Sequence, residues 1–257
     1  MGRLSELFGK KNKNVLNVYF TAGFPERNST LPIMETLQSS GVDLVELGMP
    51  YSDPLADGPV IQDSSMVALS NGMTISGLFS ELKDFREKIR IPVILMGYMN
   101  PVLQYGFEKF CMDAAEVGVD GLILPDLPAF EFESHYGAII KKYGLDFIFL
   151  VTPETSEERV RKLDALSSGF LYAVSSSSTT GKDKDFNEVT NYLQRLSGYG
   201  LKNPILVGFG IKDRESFLSV SPYASGAIIG SAFIKAISNA DNPLVTTKKF
   251  VDQILND

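Results

Sequence analysis

Asp43-Leu44-Val45-Glu46-Leu47-Gly48 is a short apolar run holding a single internal carboxyl and closed by glycine. It is apolar on both faces instead of alternating, the pattern of a parallel strand covered by helices. Runs of the same kind recur at Val15–Ala22, Pro92–Tyr98, Gly121–Pro125, Phe147–Thr152, Phe170–Ser175, Ile205–Phe209 and Ala227–Gly230, making eight in all. Helical patterns lie between them. Thr155-Ser156-Glu157-Glu158 offers a capping-box start, with Val160, Leu163 and Leu166 following at helical spacing. Gly41, Gly118, Gly144 and Gly200 each stand where a helix ends before a strand.

Eight such units with no long linker predict one closed (β/α)8 barrel of class α/β over residues 1–257, with an additional amphipathic helix within Met1–Lys13. A doubly wound open sheet is the alternative, but the Gly-x-Gly-x-x-Gly fingerprint is missing after the first run. Tyr51–Thr74 is long for a connection and carries its own helical pattern, and Ser175–Phe186 is long and polar. In a barrel both lie at the C-terminal face, where active sites are built.

Composition narrows the function. Apolar residues make up 44% of the chain, enough for a large core. A net charge of −7 argues against nucleic-acid or anionic-membrane binding, so an anionic substrate would need local backbone donors. The single cysteine, Cys111, permits no internal disulfide, which fits a cytoplasmic protein. No secretory h-region opens the sequence, Glu6 breaks the myristoylation pattern, and no apolar run approaches the roughly 20 residues of a membrane span. One histidine (His135, in a polar helical stretch) and one cysteine give metal clusters and Ser-His-Asp or Cys-His systems little to build on, so no metal is expected.

Two carboxyls stand out. Leu44, Glu46 and Gly48 share one strand face, and if that face is the barrel interior, Glu46 enters the top of the core, where acid–base work becomes available. Pairing with a neighbouring strand or loop is the other reading. Asp57 lies in Tyr51-Ser52-Asp53-Pro54-Leu55-Ala56-Asp57-Gly58-Pro59, a loop stiffened by two prolines and a glycine. On these residues alone, Asp53 and Asp57 read as turn chemistry. Gly181, Gly208-Phe209-Gly210 and Gly230-Ser231 follow late strands, where barrels commonly bind phosphate through backbone N–H groups; glycine also simply ends strands.

The stretch from Asp43 to Gln62 closely resembles the signature of tryptophan synthase alpha subunits. Phe20-Thr21-Ala22-Gly23-Phe24-Pro25, Met96-Gly97-Tyr98-Met99-Asn100-Pro101, Pro125-Asp126-Leu127-Pro128, Gly208-Phe209-Gly210-Ile211 and Gly226–Ala232 extend the match through most of the chain. The resemblance implies a carbon–carbon lyase of tryptophan biosynthesis, cleaving indole-3-glycerol phosphate to indole and glyceraldehyde 3-phosphate. It makes Glu46 the proton-transfer group and Asp57 the partner of the indole N–H. It implies that Phe20, Tyr98, Leu124, Tyr172 and Phe209 enclose the indole, while Thr180, Gly181, Gly210, Gly230 and Ser231 hold the phosphate. Ser175–Ser178 departs from the family's usual sequence before the shared Thr180-Gly181. The resemblance also implies an α2β2 complex with a beta subunit that carries pyridoxal phosphate. This chain needs no cofactor of its own, and the partner surface would comprise Pro50–Pro59, Asn100–Leu103 and Asp126–Pro128.

Overall fold

A computed structural model describes residues 2–174, 186–208 and 210–256, without the side chains of 186–188. Among these residues nine strands run in parallel: β1 (Val15–Thr21), β2 (Leu44–Gly48), β3 (Val93–Met96), β4 (Gly121–Ile123), β5 (Asp146–Phe147), β6 (Leu150–Val151), β7 (Leu171–Val174), β8 (Ile205–Gly208) and β9 (Gly226–Ile229). The sheet order is β5-β4-β3-β2-β1-β9-β8-β7-β6.

β5 and β6 are the two halves of the expected fifth strand. The Ile148 N–H donates to Leu122 O at 3.1 Å, and Phe149 O accepts from Tyr172 N–H at 3.0 Å, so consecutive residues reach opposite neighbours and the sheet curls into a barrel. The break has a local cause. Phe147 N–H donates to the Ser168 hydroxyl (3.0 Å) and Phe149 N–H to the Ser167 hydroxyl (3.1 Å), so side chains replace part of the backbone ladder.

Register decides which side chains face inward. Tyr19 pairs with Glu46, Glu46 with Ile94, and Thr21 with Gly48. Across the ring, Tyr172 pairs with Leu206, and Gly208 with Ile228, which pairs with Asn17. Asn17, Tyr19, Glu46, Ile94, Tyr172, Leu206 and Ile228 therefore share the interior face. The other face meets the helices: the Phe20 ring packs edge-on against Phe233 of the helix Ser231–Ser238, with centroids 6.1 Å apart.

The helix Arg3–Lys10 closes the strand-N-terminal end. Its Leu4 is fully buried, Phe8 packs on Phe170 at 6.1 Å, and Arg3 pairs with Asp120 at 2.9 Å. Arg86 also pairs with Asp120 there and donates to the carbonyls of Gly118, Ile89 and Ile91. Asp120 in turn accepts from Val93 N–H at 2.8 Å, so the network ties the foot of β3 to the connections around it.

Helix ends follow their local chemistry. Gly41, Gly118, Gly144 and Gly200 all have positive φ. The helix Glu157–Leu166 starts one residue later than the capping-box reading: Ser156 accepts from Arg159 N–H, while Thr155 turns back to accept from Thr152 N–H at 2.9 Å. A reciprocal capping box occurs instead at Asp213 and Ser216. Cys111 is a buried packing residue whose thiol burial pushes up to about 12, and His135 lies exposed beside Glu131.

Candidate active site

Glu46 sits in the middle of β2, fully buried and turned into the barrel. The Asn17 amide, presented from β1, donates to Glu46 Oε1. Glu46 Oε2 and Asn17 Oδ1 are both buried and have no hydrogen-bond partner among the described residues. Burial raises the Glu46 carboxyl to about 8, against a smaller opposing pull from the Asn17 amide. At neutral pH this group is predominantly a neutral acid with one oxygen uncommitted.

Asp57 comes from the connection after β2. The Gln62 amide anchors that loop by donating to Asp57 O at 2.9 Å and Pro54 O at 3.4 Å, and Asp57 N–H closes onto Pro54 O at 3.0 Å. Gln62 belongs to the helix Pro59–Ser70, the helical segment expected within this connection. Partial burial raises the Asp57 carboxyl to about 6, while the Tyr98 hydroxyl beside it favours the charged form. Tyr98 also accepts from Ala56 N–H at 3.2 Å, and its ring lies 5.4 Å from that of Tyr51. At pH 7 Asp57 is mainly ionised, so the two carboxyls hold different protonation states through different degrees of burial.

Both carboxyls look into one compartment. Burial first, and then the charges of both Asp57 and Glu46, push the phenols of Tyr19 and Tyr172 well above their ordinary range. Each tyrosine leans over a glycine on the next strand. A Cβ at Gly48 would overlap the Tyr19 hydroxyl, and one at Gly208 the Tyr172 hydroxyl. These two positions require glycine for space.

At the rim, Gly230 starts the eight-residue helix Ser231–Ser238 and has no side-chain cap. A Cβ there would stand 3.3 Å from the Tyr19 ring, so this helix start adjoins the tyrosine that senses both carboxyls. Ser231 is exposed, and Gly210 follows β8 with φ 78°, open on its Cβ side. The unpaired N–H groups of a helix start suit an anion. Among the described residues no three His, Cys, Asp or Glu side chains gather as a metal site.

The structure thus gathers Glu46, Asp57, Tyr98 and Tyr172 around one space, with Gly230 and Ser231 at its edge. It does not bring Phe20 there: one step of register places Tyr19 on the interior face and Phe20 against the helices. Nor does Leu124 join, because Ile123 is the β4 residue on the Glu46 face. Leu124 instead lines a recess of about 280 Å³ with Asp126, Phe149, Arg159 and Leu163, a space that neither Glu46 nor Asp57 touches. Thr180, Gly181, Phe209 and the Ser175–Ser178 stretch lie outside the described residues. Sequence reasoning missed Asn17 and Tyr19. An amide inside the apolar run Val15-Leu16-Asn17-Val18-Tyr19 is the same signal that marked Glu46.

A family described as "Tryptophan synthase alpha chain" matches residues 6–255. The tryptophan synthase alpha chain of Flavobacterium johnsoniae is 50% identical over 255 residues, covering 99% of this chain and 100% of that one. That of Bacteroides thetaiotaomicron is 44% identical with the same coverage. Among solved structures, the tryptophan synthase alpha chain of Legionella pneumophila superposes with a TM-score of 0.90 at 35% identity, covering 99% of this chain and 96% of its own. A tryptophan synthase from M. tuberculosis in an aminoacrylate-bound form gives 0.86 at 30% identity, covering 99% and 98%.

Proposed function

This chain belongs to the tryptophan synthase alpha chain family, and we infer that Glu46 and Asp57 carry its reaction. The chain is a lyase that cleaves indole-3-glycerol phosphate to indole and glyceraldehyde 3-phosphate. The observation that supports these two residues is a neutral acid and an ionised carboxylate facing the same pair of tyrosines.

Glu46 Oε2 gives its proton to indole C3, and the ring becomes an iminium whose positive charge spreads onto the ring nitrogen. Asp57 accepts the ring N–H and stabilises that charge. The Glu46 carboxylate then takes the proton of the glycerol hydroxyl next to the ring. The C–C electron pair returns to indole as the aldehyde carbonyl forms. One proton is given and one taken, so the acid is regenerated. Backbone donors at Gly210 and Gly230, the Ser231 hydroxyl, and Thr180 with Gly181 hold the phosphate. Tyr172, Tyr98 and Phe209 flank the indole, and Tyr19 fills the place expected of Phe20.

The partner is a tryptophan synthase beta subunit, assembled as α2β2 in the cytoplasm, and pyridoxal phosphate resides in that subunit. Its docking face is the rim that carries the exposed Leu55 and Leu103 of the segments expected there, with the exposed Phe130 just beyond Asp126–Pro128. No helix among the described residues is long and apolar enough to cross a membrane.

The test is indole release from indole-3-glycerol phosphate by the wild type and by Glu46→Gln, each with and without the beta subunit. Loss of release by the variant, with phosphate-ligand binding and fold kept, is expected. Wild-type-like turnover would reject the assignment. Strong stimulation by the beta subunit is expected, and fast unstimulated turnover would mark a stand-alone lyase.

A further inference from the structure

Asn17 is an uneconomical residue for a purely structural role. Its side chain is fully buried in β1, yet only half of its amide is used: Nδ2 donates to Glu46 Oε1, while Oδ1 has no partner among the described residues. A leucine would fill nearly the same shape without burying an unsatisfied carbonyl. The amide is directed at the one carboxyl to which proton transfer is assigned. By donating to Oε1 it gives that oxygen the role of acceptor and leaves the other oxygen to hold the acidic hydrogen.

We propose that Asn17 is a positioning residue for the lyase reaction, fixing the Glu46 carboxyl so that Oε1 is held by the amide and Oε2 alone gives and takes the reacting proton. The proposal rests on the assignment of Glu46 made above. Without the amide donor either oxygen can hold the proton and the carboxyl can rotate, so the acid meets indole C3 in only part of its orientations. The donor also favours the charged form of Glu46, easing the moment when the proton has left. The other titratable groups facing this carboxyl are the phenol of Tyr19 from β1 and that of Tyr172 from β7. Both stay neutral through the working range, and Asp57, raised only to about 6, governs the acid limb, so a movement of the alkaline limb reports Glu46.

The experiment measures the pH dependence of indole release by the alpha chain in complex with its beta subunit, comparing wild type, Asn17→Leu and Asn17→Ser, with Glu46→Gln as control. For Asn17→Leu, kcat should fall roughly ten- to hundredfold with KM within about twofold, and the alkaline limb of kcat/KM should move upward by about one pH unit. Asn17→Ser keeps a donor in a smaller side chain. It should restore part of kcat and return the limb toward the wild-type position, and it serves as the readout if the leucine variant does not fold. An alkaline limb that stays at the wild-type pH in both variants overturns the proposal, as does a loss carried by KM alone, which would make Asn17 a substrate contact. If Glu46→Gln turns over normally, the assignment of Glu46 fails instead, and the two failures are told apart.

Discussion

Tyr19 is the register partner of Glu46 across β1 and β2, and its hydroxyl reaches past that carboxyl to lie over Gly48. Beyond burial, Tyr19 senses Asp57 more strongly than Glu46, whereas Tyr172 senses Glu46 more strongly than Asp57. The two phenols line the same pocket from strands β1 and β7, three strands apart around the barrel. An acid rooted in a strand and a carboxylate carried on a loop are held across one space by side chains that need glycine beside them.

The pH profile of kcat/KM should be bell-shaped. Asp57 must be charged, so activity rises as pH passes about 6; Glu46 must be protonated, so activity falls as pH passes about 8. Initial rates at low substrate between pH 5 and 9 check this. A profile that keeps climbing up to pH 9 would deny Glu46 the role of acid.

Asp57→Asn keeps the shape and removes the charge that stabilises the ring cation. Indole release should fall by roughly a hundredfold or more while thermal stability at pH 7 is kept or raised, because burial opposes the charge that the amide lacks. Steady-state kinetics beside a melting curve separates the two effects.

Glu46→Gln should also stabilise the fold in a pH-dependent way. The folded carboxyl binds its proton more tightly than the ordinary 4.5, up to about 8, so its contribution is full below about 4.5 and is lost as pH rises toward 8. Glutamine does not titrate. The variant's advantage should grow across that window to on the order of a few kcal/mol, read from denaturant midpoints at pH 5 and pH 8.

Gly208→Ala drives a methyl into the Tyr172 ring and should cost roughly 1–3 kcal/mol of stability together with activity. Adding Tyr172→Leu should recover the stability without recovering turnover, because the pocket wall is gone. Chemical denaturation and indole assays on the single and double variants check it.

Arg86→Met removes a largely buried cation from Asp120 and strips three carbonyls of their donor. The expected loss is about 3 kcal/mol of stability, with kcat unchanged at temperatures where the variant is folded. A fall in kcat without a fall in melting temperature would contradict a purely structural role.

The barrel was legible because each strand is apolar on both faces, a property that needs no neighbour to be seen. What depends on a neighbour was not. Phe20 and Tyr19 are adjacent aromatics in one run, and only the pairing of Tyr19 with Glu46 tells which of them faces inward. The interruption of the fifth strand arises from two serine hydroxyls some twenty residues further along the chain. Leu124 sits one residue past the β4 position that faces Glu46, a distinction set by where the strand ends. Glu46 stood out because a carboxyl within a strand is unusual by itself, whereas Asp57 reads alone as turn chemistry and is singled out by the resemblance of the Asp43–Gln62 stretch. Asn17 carried the same mark as Glu46 and was legible on the same grounds.

The Arg3–Lys10 helix and the packed side chains above it give the reaction chamber a floor. Leu44, Ile94, Leu206 and Ile228 are buried in the barrel interior around and below Glu46. Among the described residues the barrel is packed at its strand N-terminal end, so indole formed beside Glu46 leaves through the mouth at the strand C-terminal face. Whatever sits on that mouth decides whether the molecule escapes to water or is handed on, and the sealed lower end thus gives authority over the product to the upper rim.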